Sequence, residues 1–253
     1  MINVPGSKNL RKIVVLNPKG GSGKSTIAAN LAGYLSVSGQ SVALMDCDPQ
    51  GSSTHWLARR DAEAPFIHGI AACENKANVT RSWQLRVPPE TRYLVVDTPA
   101  SIPAHQLIDY TCGAHAILVP VMPSDIDTHA ASRLMSNLLL AAKVSRRMGR
   151  LGVVANRVRT NTLGYKRLVR FLDRLSIAVV GTLSDSQNYL HATEQGLSIH
   201  EMQPSKVRAD LDRWQPMLEW IESRTQAPLT ARDFLRPDFT PGRSVSRIND
   251  SFR

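Results

Sequence analysis

Two sets of residues in this chain have the types and the spacing that phosphate chemistry requires. The first is the glycine-rich stretch 18–26, with the sequence PKGGSGKST, which follows an apolar run and opens a segment with helical spacing of apolar residues. In a strand–turn–helix context, glycines let backbone N–H groups point at an anion, and the helix N-terminus adds partial positive charge. The stretch is therefore predicted to bind phosphate, with Lys24 on the phosphate oxygens and the Ser25 hydroxyl on Mg²⁺.

The predicted contacts to the bound nucleotide span the whole turn and the first residues of the helix. They are Gly20, Gly21, Ser22, Gly23, Lys24, Ser25 and Thr26. The alternative is a chance glycine turn flanked by two solvated lysines, but the strand, the turn and the helix pattern all agree with a phosphate-binding loop.

The second set is carboxylates at the ends of apolar runs. Asp46 and Asp48 follow the run 41–45, and Asp97 follows the run 93–96. Ligands of parallel α/β sheets bind at the carboxyl ends of the strands. We therefore expect Asp97 near a phosphate-bound Mg²⁺, with Asp46 and Asp48 beside it. An alternative for Asp46 and Asp48 is that they cap the turn formed by Pro49, Gln50 and Gly51.

The glycine-rich stretch departs from the common G-x-x-x-x-G-K-[ST] form, because Pro18 stands at the first glycine position and a second lysine, Lys19, follows it. This K-G-G-x-G-K-[ST] form resembles the deviant Walker A loop of the ParA/MinD family of ATPases. The string DCDPQG at 46–51 is similar to the second nucleotide motif of ParA-type proteins. The resemblance covers residues 12–222. Ala100 departs from it, because in the family the aspartate that corresponds to Asp97 usually begins the string D-T-P-P.

The resemblance implies ATP and Mg²⁺ as cofactors and assigns roles to individual residues. By it, Asp48 orients the attacking water, Mg²⁺ is held near Ser25, Asp48 and Asp97, and Asn156 contacts the adenine base. It also implies that Lys19, with Lys24, acts on the phosphates, Lys19 reaching across a homodimer to the partner's nucleotide. An activating adaptor protein is a further implication.

The apolar runs predict an α/β fold, a doubly wound and mostly parallel sheet with helices on both faces. Strands are expected at 12–17, 41–45, 93–96, 116–121, 151–155 and 177–183, and no strand is assigned within 52–90. Ser124 or Asp125 is expected to cap a following helix, the alternative being that Asp125 and Asp127 lie near the nucleotide. Residues 1–224 are predicted to form one domain, and 225–253 an extended or loosely packed tail.

The net charge of +10 is concentrated in one part of the chain. Between positions 143 and 174 there are ten Lys or Arg residues and one acid, Asp173. The predicted helix 162–175 carries four of these cations on one stripe: Lys166, Arg167, Arg170 and Arg174. Such a stripe is typical of a surface that binds a polyanion, the alternative being a solvated surface. The resemblance to ParA-type proteins implies that the polyanion is DNA, bound without sequence preference.

Composition excludes some classes and leaves others open. The three cysteines form no C-x-x-C pair, and no apolar run reaches the length of a membrane span, so a protein of the cytoplasm is expected. The resemblance to ParA-type proteins implies that it is associated with the nucleoid. A membrane-associated MinD-like regulator remains an alternative, because Val245, Ile248 and Phe252 have helical spacing near the C-terminus. A metabolic or maturation P-loop ATPase is another. The cargo of a ParA-like ATPase, a DNA locus or a protein assembly, stays open.

Overall fold

The computed structural model of the protein describes residues 9–73, 80, 85–145, 148–159 and 161–229. Within these residues the chain forms one seven-stranded sheet in which every neighbouring pair of strands is parallel. The strands are β1 (Arg11–Val15), β2 (Val42–Asp46), β3 (Ile67–Ala71), β4 (Tyr93–Asp97), β5 (Ala116–Val121), β6 (Leu151–Ala155) and β7 (Ala178–Thr182). Their order across the sheet is β3-β2-β4-β1-β5-β6-β7.

Helices cover both faces of the sheet. They are α1 (Lys24–Val37), α2 (Ser52–Ala58), α3 (Leu107–Thr111), α4 (Asp125–Leu140), α5 (Leu163–Arg174), α6 (Asn188–Glu194) and α7 (Pro204–Gln226), with short 3₁₀ turns at Ala104–Gln106 and Ile199–Glu201. Apolar residues of α1, α2, α6 and α7 pack on one face, and those of α3, α4 and α5 pack on the other.

The central strand β1 shows why the sheet needs two helical layers. Ile13 and Val15 belong to the core on the α1 side, whereas Val14 belongs to the core on the α4 side. All three are fully buried. A strand that is apolar on both sides has to be covered on both sides, which is why such runs are typical of parallel sheets. The predicted doubly wound fold is confirmed.

One strand and one helix end differ from the sequence prediction. β3 lies within the segment 52–90, to which no strand was assigned, and it pairs with β2 alone, at the edge of the sheet. Its sequence, IHGIA, offers only Ile67 and Ile70 as large apolar residues, which is too little for recognition from the pattern. The last helix continues to Gln226, past the predicted domain end at residue 224, and Thr225 is buried.

No helix in the described ranges is both long and apolar enough to cross a membrane. The apolar residues Val245, Ile248 and Phe252, on which the membrane alternative rests, lie outside the described residues, as does most of the predicted tail.

Candidate functional site

The glycine-rich loop joins the carboxyl end of β1 to the N-terminus of α1. Gly21 and Gly23 adopt left-handed backbone angles, with φ of 74° and 94°. At Gly23 a Cβ atom would also lie 2.2 Å from Nδ2 of Asn156. A side chain at this position is therefore excluded twice, by the backbone conformation and by the neighbour. The loop is a backbone cradle whose shape depends on this glycine.

The loop opens onto a pocket of about 660 Å³ at the carboxyl edge of the sheet. Predicted nucleotide contacts that line it are Gly20, Gly21, Gly23, Lys24, Ser25 and Thr26. Asp48, Pro99 and Arg157 line the pocket too, and α2 contributes Trp56. Ser22, which belongs to the same loop, is fully buried. Sequence motifs that are far apart in the chain thus meet at one cavity.

Lys24, the first residue of α1, is only 6% exposed. Its ammonium group donates a hydrogen bond to the carbonyl oxygen of Lys19 at 3.2 Å. Burial lowers the pKa of Lys24, and the carboxylates of Asp97 and Asp48 act in the opposite direction. A desolvated ammonium between the loop and two carboxylates is well suited to bind phosphate oxygens.

Asp97 ends β4 and is fully buried. Its Oδ2 accepts a hydrogen bond from the Ser53 hydroxyl at 2.7 Å. Burial raises the pKa of Asp97 to about 6, and the nearby hydroxyls of Ser25 and Ser53 partly oppose that rise. Oδ1 has no hydrogen-bond partner among the described residues. A buried carboxylate oxygen without a partner, next to a serine hydroxyl, fits Mg²⁺, which prefers oxygen ligands.

Asp46 and Asp48 take different positions although they are two residues apart. Asp46 is buried, and its carboxylate accepts hydrogen bonds from the backbone and the hydroxyl of Thr54 at 2.8 and 3.0 Å. It also accepts one from the backbone N–H of Asp48 at 3.1 Å. Asp48 is half-buried and lines the pocket, with Oδ1 accepting from the N–H of Gln50. Asp46 holds the turn, and Asp48 faces the cavity.

Asn156 follows β6 and is buried against the glycine-rich loop. Its Nδ2 donates to the carbonyl oxygen of Ser22 at 2.9 Å, and its Oδ1 accepts from the N–H of Arg157 at 3.0 Å. The resemblance assigned this side chain to the adenine base. In the structure it braces the phosphate loop, and Arg157, with a left-handed φ of 51°, lines the pocket beside it.

Lys19 lies at the rim of the loop. Its ammonium group forms an ion pair with Asp127 of α4 at 2.8 Å, where the Lys19 side chain is 36% exposed and the Asp127 side chain 3%. Ser124 caps α4, since its hydroxyl accepts from the N–H of Asp127. The prediction that Ser124 caps this helix is therefore confirmed. Asp127 lies beside the phosphate loop, where it pairs with Lys19.

The basic window 143–174 does not form one surface. Lys166, Arg167, Arg170 and Arg174 are all exposed on α5, but Arg150 is buried and donates to the carbonyl oxygen of Pro228 at 3.5 Å. Arg157 forms an exposed pair with Asp185 at 3.6 Å. Arg146 and Arg147 lie outside the described residues. Lys143, Arg157 and Arg159 are exposed too, so the burial of Arg150 removes one cation from the candidate polyanion surface, on which the exposed cations of α5 form the largest group on one element.

Three supporting residues were missed by the sequence analysis as parts of the site: Asn17, Ser53 and Thr54. Asn17 accepts from the N–H of Lys19 at 2.8 Å and donates to the carbonyl oxygen of Pro120. A polar residue at the end of an apolar strand, and serine or threonine after an Asp-x-Asp turn, were the available signals. Their partners are distant in the sequence, so the spacing alone could not identify them.

Together, a glycine-rich loop between β1 and α1 and a buried carboxylate at the end of β4 define a P-loop nucleotide-binding protein. The family described as the CobQ/CobB/MinD/ParA nucleotide binding domain matches residues 13–199, well over half of the chain. The chain belongs to this family, and the resemblance to ParA/MinD proteins is confirmed.

Relatives with established names agree with this assignment. A maintenance of carboxysome distribution protein A from Halothiobacillus neapolitanus is 26% identical over 195 residues, which cover 75% of this chain and 87% of that protein. The protein of the same name from Gloeobacter kilaueensis is 32% identical over 160 residues, which cover 63% of this chain and 69% of that protein. A chromosome-partitioning ATPase Soj from Thermus thermophilus is 51% identical, but over only 59 residues, or 23% of each chain.

Solved structures support the fold. An ATP complex of a McdA variant from Cyanothece has a TM-score of 0.61 at 17% identity and covers 89% of this chain and 99% of that one. The cell division ATPase MinD from Pyrococcus furiosus has a TM-score of 0.63 at 14% identity and covers 84% and 98%.

Proposed function

We propose that this chain is a Mg²⁺-dependent ATPase of the cytoplasm that forms a homodimer when ATP is bound. In this form it binds DNA without sequence preference and positions or segregates a cargo over the nucleoid. The observation that carries the proposal is the second lysine of the phosphate loop, Lys19, whose partly exposed side chain belongs to the residue next to the pocket-lining Gly20.

ATP hydrolysis is supported by the groups that meet at the pocket. The loop N–H groups and Lys24 bind the phosphates. Ser25, Asp48 and Asp97 are the proposed holders of Mg²⁺, which neutralises phosphate charge when bound. Asp48 faces the cavity, so its free carboxylate oxygen is proposed to accept a proton of the attacking water and orient it toward the γ-phosphate.

Dimer formation through the pocket face is supported by apolar side chains near Lys19. Ile126 in the first turn of α4 is 73% exposed, and Leu163 at the start of α5 is 68% exposed. The two helix ends are adjacent, because Gly164 packs against the turn before α4 and Arg167 pairs with Asp125 at 3.5 Å. Exposed large apolar residues that lie together are typical of a contact surface.

DNA binding is supported by the cations of α5. Lys166, Arg167, Arg170 and Arg174 are exposed at spacings of three and four residues, so they form a stripe along a helix of 12 residues. Such a helix is about 18 Å long, enough to follow several phosphates. A dimer would present two stripes, and the doubled contacts would make DNA affinity follow ATP occupancy and fall steeply with salt.

The nature of the cargo is supported only by the names of relatives. Two relatives that align with more than half of this chain are named for carboxysome distribution, and shorter matches are named for chromosome partitioning. We propose a protein assembly or a DNA locus as cargo, recruited through an activating adaptor protein.

The experiment that tests the proposal is fluorescence anisotropy of a labelled random duplex DNA with Mg²⁺–ATP or Mg²⁺–ADP. Binding should be tighter with ATP and should weaken steeply as salt is raised. Equally weak binding in both states would exclude the DNA role. Sedimentation with anionic lipid vesicles under the same conditions separates this function from a membrane-associated one, for which we expect no ATP-dependent recovery.

A further inference from the structure

Asp127 is the fixed member of the Lys19–Asp127 pair. Its backbone N–H is bonded to the Ser124 hydroxyl at 3.1 Å, and that hydroxyl also contacts the carboxylate oxygen that Lys19 binds. The residue belongs to a helix of 16 residues, and its side chain is 3% exposed. The carboxylate therefore stays where it is, whatever Lys19 does.

The backbone of Lys19 is fixed by hydrogen bonds in which its own side chain takes no part. Its N–H donates to Asn17 at 2.8 Å, and its carbonyl oxygen accepts from Lys24 at 3.2 Å. The side chain of Lys19 is 36% exposed, so it can change its partner while the backbone stays in place. The ammonium group can thus leave Asp127 without any change in the loop that binds the phosphates.

Separating the pair leaves the buried carboxylate of Asp127 without its counter-charge. Within the described residues its one ion pair is with Lys19, and its other oxygen, Oδ1, is buried without a hydrogen-bond partner. A buried carboxylate that loses its counter-charge is destabilised. The subunit in which Lys19 stays on Asp127 is therefore favoured over the one in which Lys19 extends outward.

We propose that Asp127 is a positioning residue that retains Lys19 within its own subunit. The exchange of Lys19 from Asp127 to the nucleotide of a second copy then sets the ATP concentration at which the dimer forms. This inference rests on the proposed ATP-dependent dimer. If retention makes the dimer-competent subunit the minor state, removal of the retaining charge raises the apparent affinity for dimerisation in proportion to the population gained.

The test is Asp127→Asn, which keeps the shape of the side chain and removes its charge. Asp125→Asn is the matched control, since it removes the same charge two residues away from an exposed pair. Dimerisation is followed by light scattering as a function of ATP concentration. Asp127→Asn should lower the half-maximal ATP concentration by about tenfold, while the control should stay close to the wild type.

The outcomes separate this inference from the proposed function. A wild type that dimerises with ATP and an Asp127→Asn variant with the same or a higher half-maximal ATP concentration would overturn the inference alone. An equal decrease in both variants would overturn it too, as a general charge effect. If neither the wild type nor the variant dimerises, the proposed dimer fails and the inference fails with it.

A second measurement needs no variant and so does not depend on correct folding. Amine-reactive labelling followed by mass spectrometry gives the reactivity of Lys19 in the nucleotide-free wild type. An ammonium group held by Asp127 should react several-fold more slowly than a solvated lysine such as Lys166, and equal reactivity of the two would contradict retention.

Discussion

The Ser53 hydroxyl donates a 2.7 Å hydrogen bond to Asp97, and this bond joins α2 to the end of β4. Both side chains are fully buried, so the bond is shielded from water. It occupies one carboxylate oxygen, whereas the other, Oδ1, has no hydrogen-bond partner among the described residues. The turn that carries Asp48 and the carboxylate proposed to hold Mg²⁺ are thereby parts of one network.

Replacing Ser53 by alanine should weaken both folding and Mg²⁺–ATP binding. The substitution leaves a buried carboxylate oxygen without its donor, which costs about 1–3 kcal/mol. Chemical denaturation and calorimetric titration with Mg²⁺–ATP measure the two effects. Ser223→Ala is the control, because Ser223 is exposed on α7 and does not line the pocket. Equal behaviour of the two variants would show that the bond contributes nothing.

Asn156 should act on the phosphate loop and not on base selection. Asn156→Asp would set a carboxylate oxygen against the carbonyl oxygen of Ser22, so we expect weaker binding of ATP and of inorganic triphosphate alike. The preference for ATP over GTP should stay unchanged. Competition titrations measure all three ligands. A changed ATP-to-GTP ratio with normal triphosphate binding would instead support the adenine contact that the family resemblance implies.

Asp97 should make the stability of the nucleotide-free protein depend on pH. Burial raises its pKa from 3.8 to about 6, so the folded protein holds this proton more tightly than the unfolded chain does. Its contribution therefore makes the protein more stable as the pH falls from about 7 to about 4, by at most about 2–3 kcal/mol.

The measurement is the free energy of unfolding against pH for the wild type and for Asp97→Asn. The wild type should gain stability relative to the variant toward low pH, and parallel curves would contradict the raised pKa. Mg²⁺–ATP binding should show the opposite trend and weaken below about pH 6, because the metal needs the ionised carboxylate.

The exposed apolar pair at the pocket face should be needed for dimerisation. Ile126→Asp or Leu163→Asp should abolish the ATP-dependent dimer and leave ATP binding by the monomer intact, since neither side chain lines the pocket. Leu140→Asp is a demanding control, because Leu140 is 77% exposed at the other end of α4. Light scattering gives the mass. Loss of the dimer in the control as well would show that the effect is not specific to this face.

The cations of α5 should carry DNA binding. Arg167→Glu with Arg170→Glu should weaken binding of random duplex DNA at least tenfold and reduce the slope of affinity against salt, as expected when phosphate contacts are lost. ATP binding should stay normal. Arg208→Glu with Arg213→Glu, at exposed positions on α7, is the matched control. Equal losses in the two double variants would mean that net charge, and not α5, governs the affinity.

Local patterns predicted the fold and the phosphate loop because the signal is contained in short segments. An apolar run followed by Gly-Lys-Ser specifies strand, turn and helix together. The edge strand β3 escaped prediction because an edge strand needs fewer apolar residues. Arg150, counted in the basic window, is buried against the end of α7, a long-range contact that composition does not contain.

The supporting contacts of the site could not be predicted for the same reason. Lys19 and Asp127 are 108 residues apart in sequence, and Asn156 and Ser22 are 134 apart. Only the strand order β4-β1-β5-β6 brings their loops to one edge of the sheet. Residue types at the strand ends indicated that a site exists, whereas its internal bonding required the fold.

We propose an ATP-dependent dimer in which Lys19 acts on the partner's nucleotide. The molar mass in solution of the Asp48→Ala variant tests this dimer. This variant is expected to bind ATP without hydrolysing it, so the ATP state persists during the measurement. We expect the mass of two chains with Mg²⁺–ATP, the mass of one chain with Mg²⁺–ADP, and the mass of one chain in both states when Lys19→Ala is added. A single-chain mass for Asp48→Ala with bound ATP, or a dimer that survives Lys19→Ala, would contradict it.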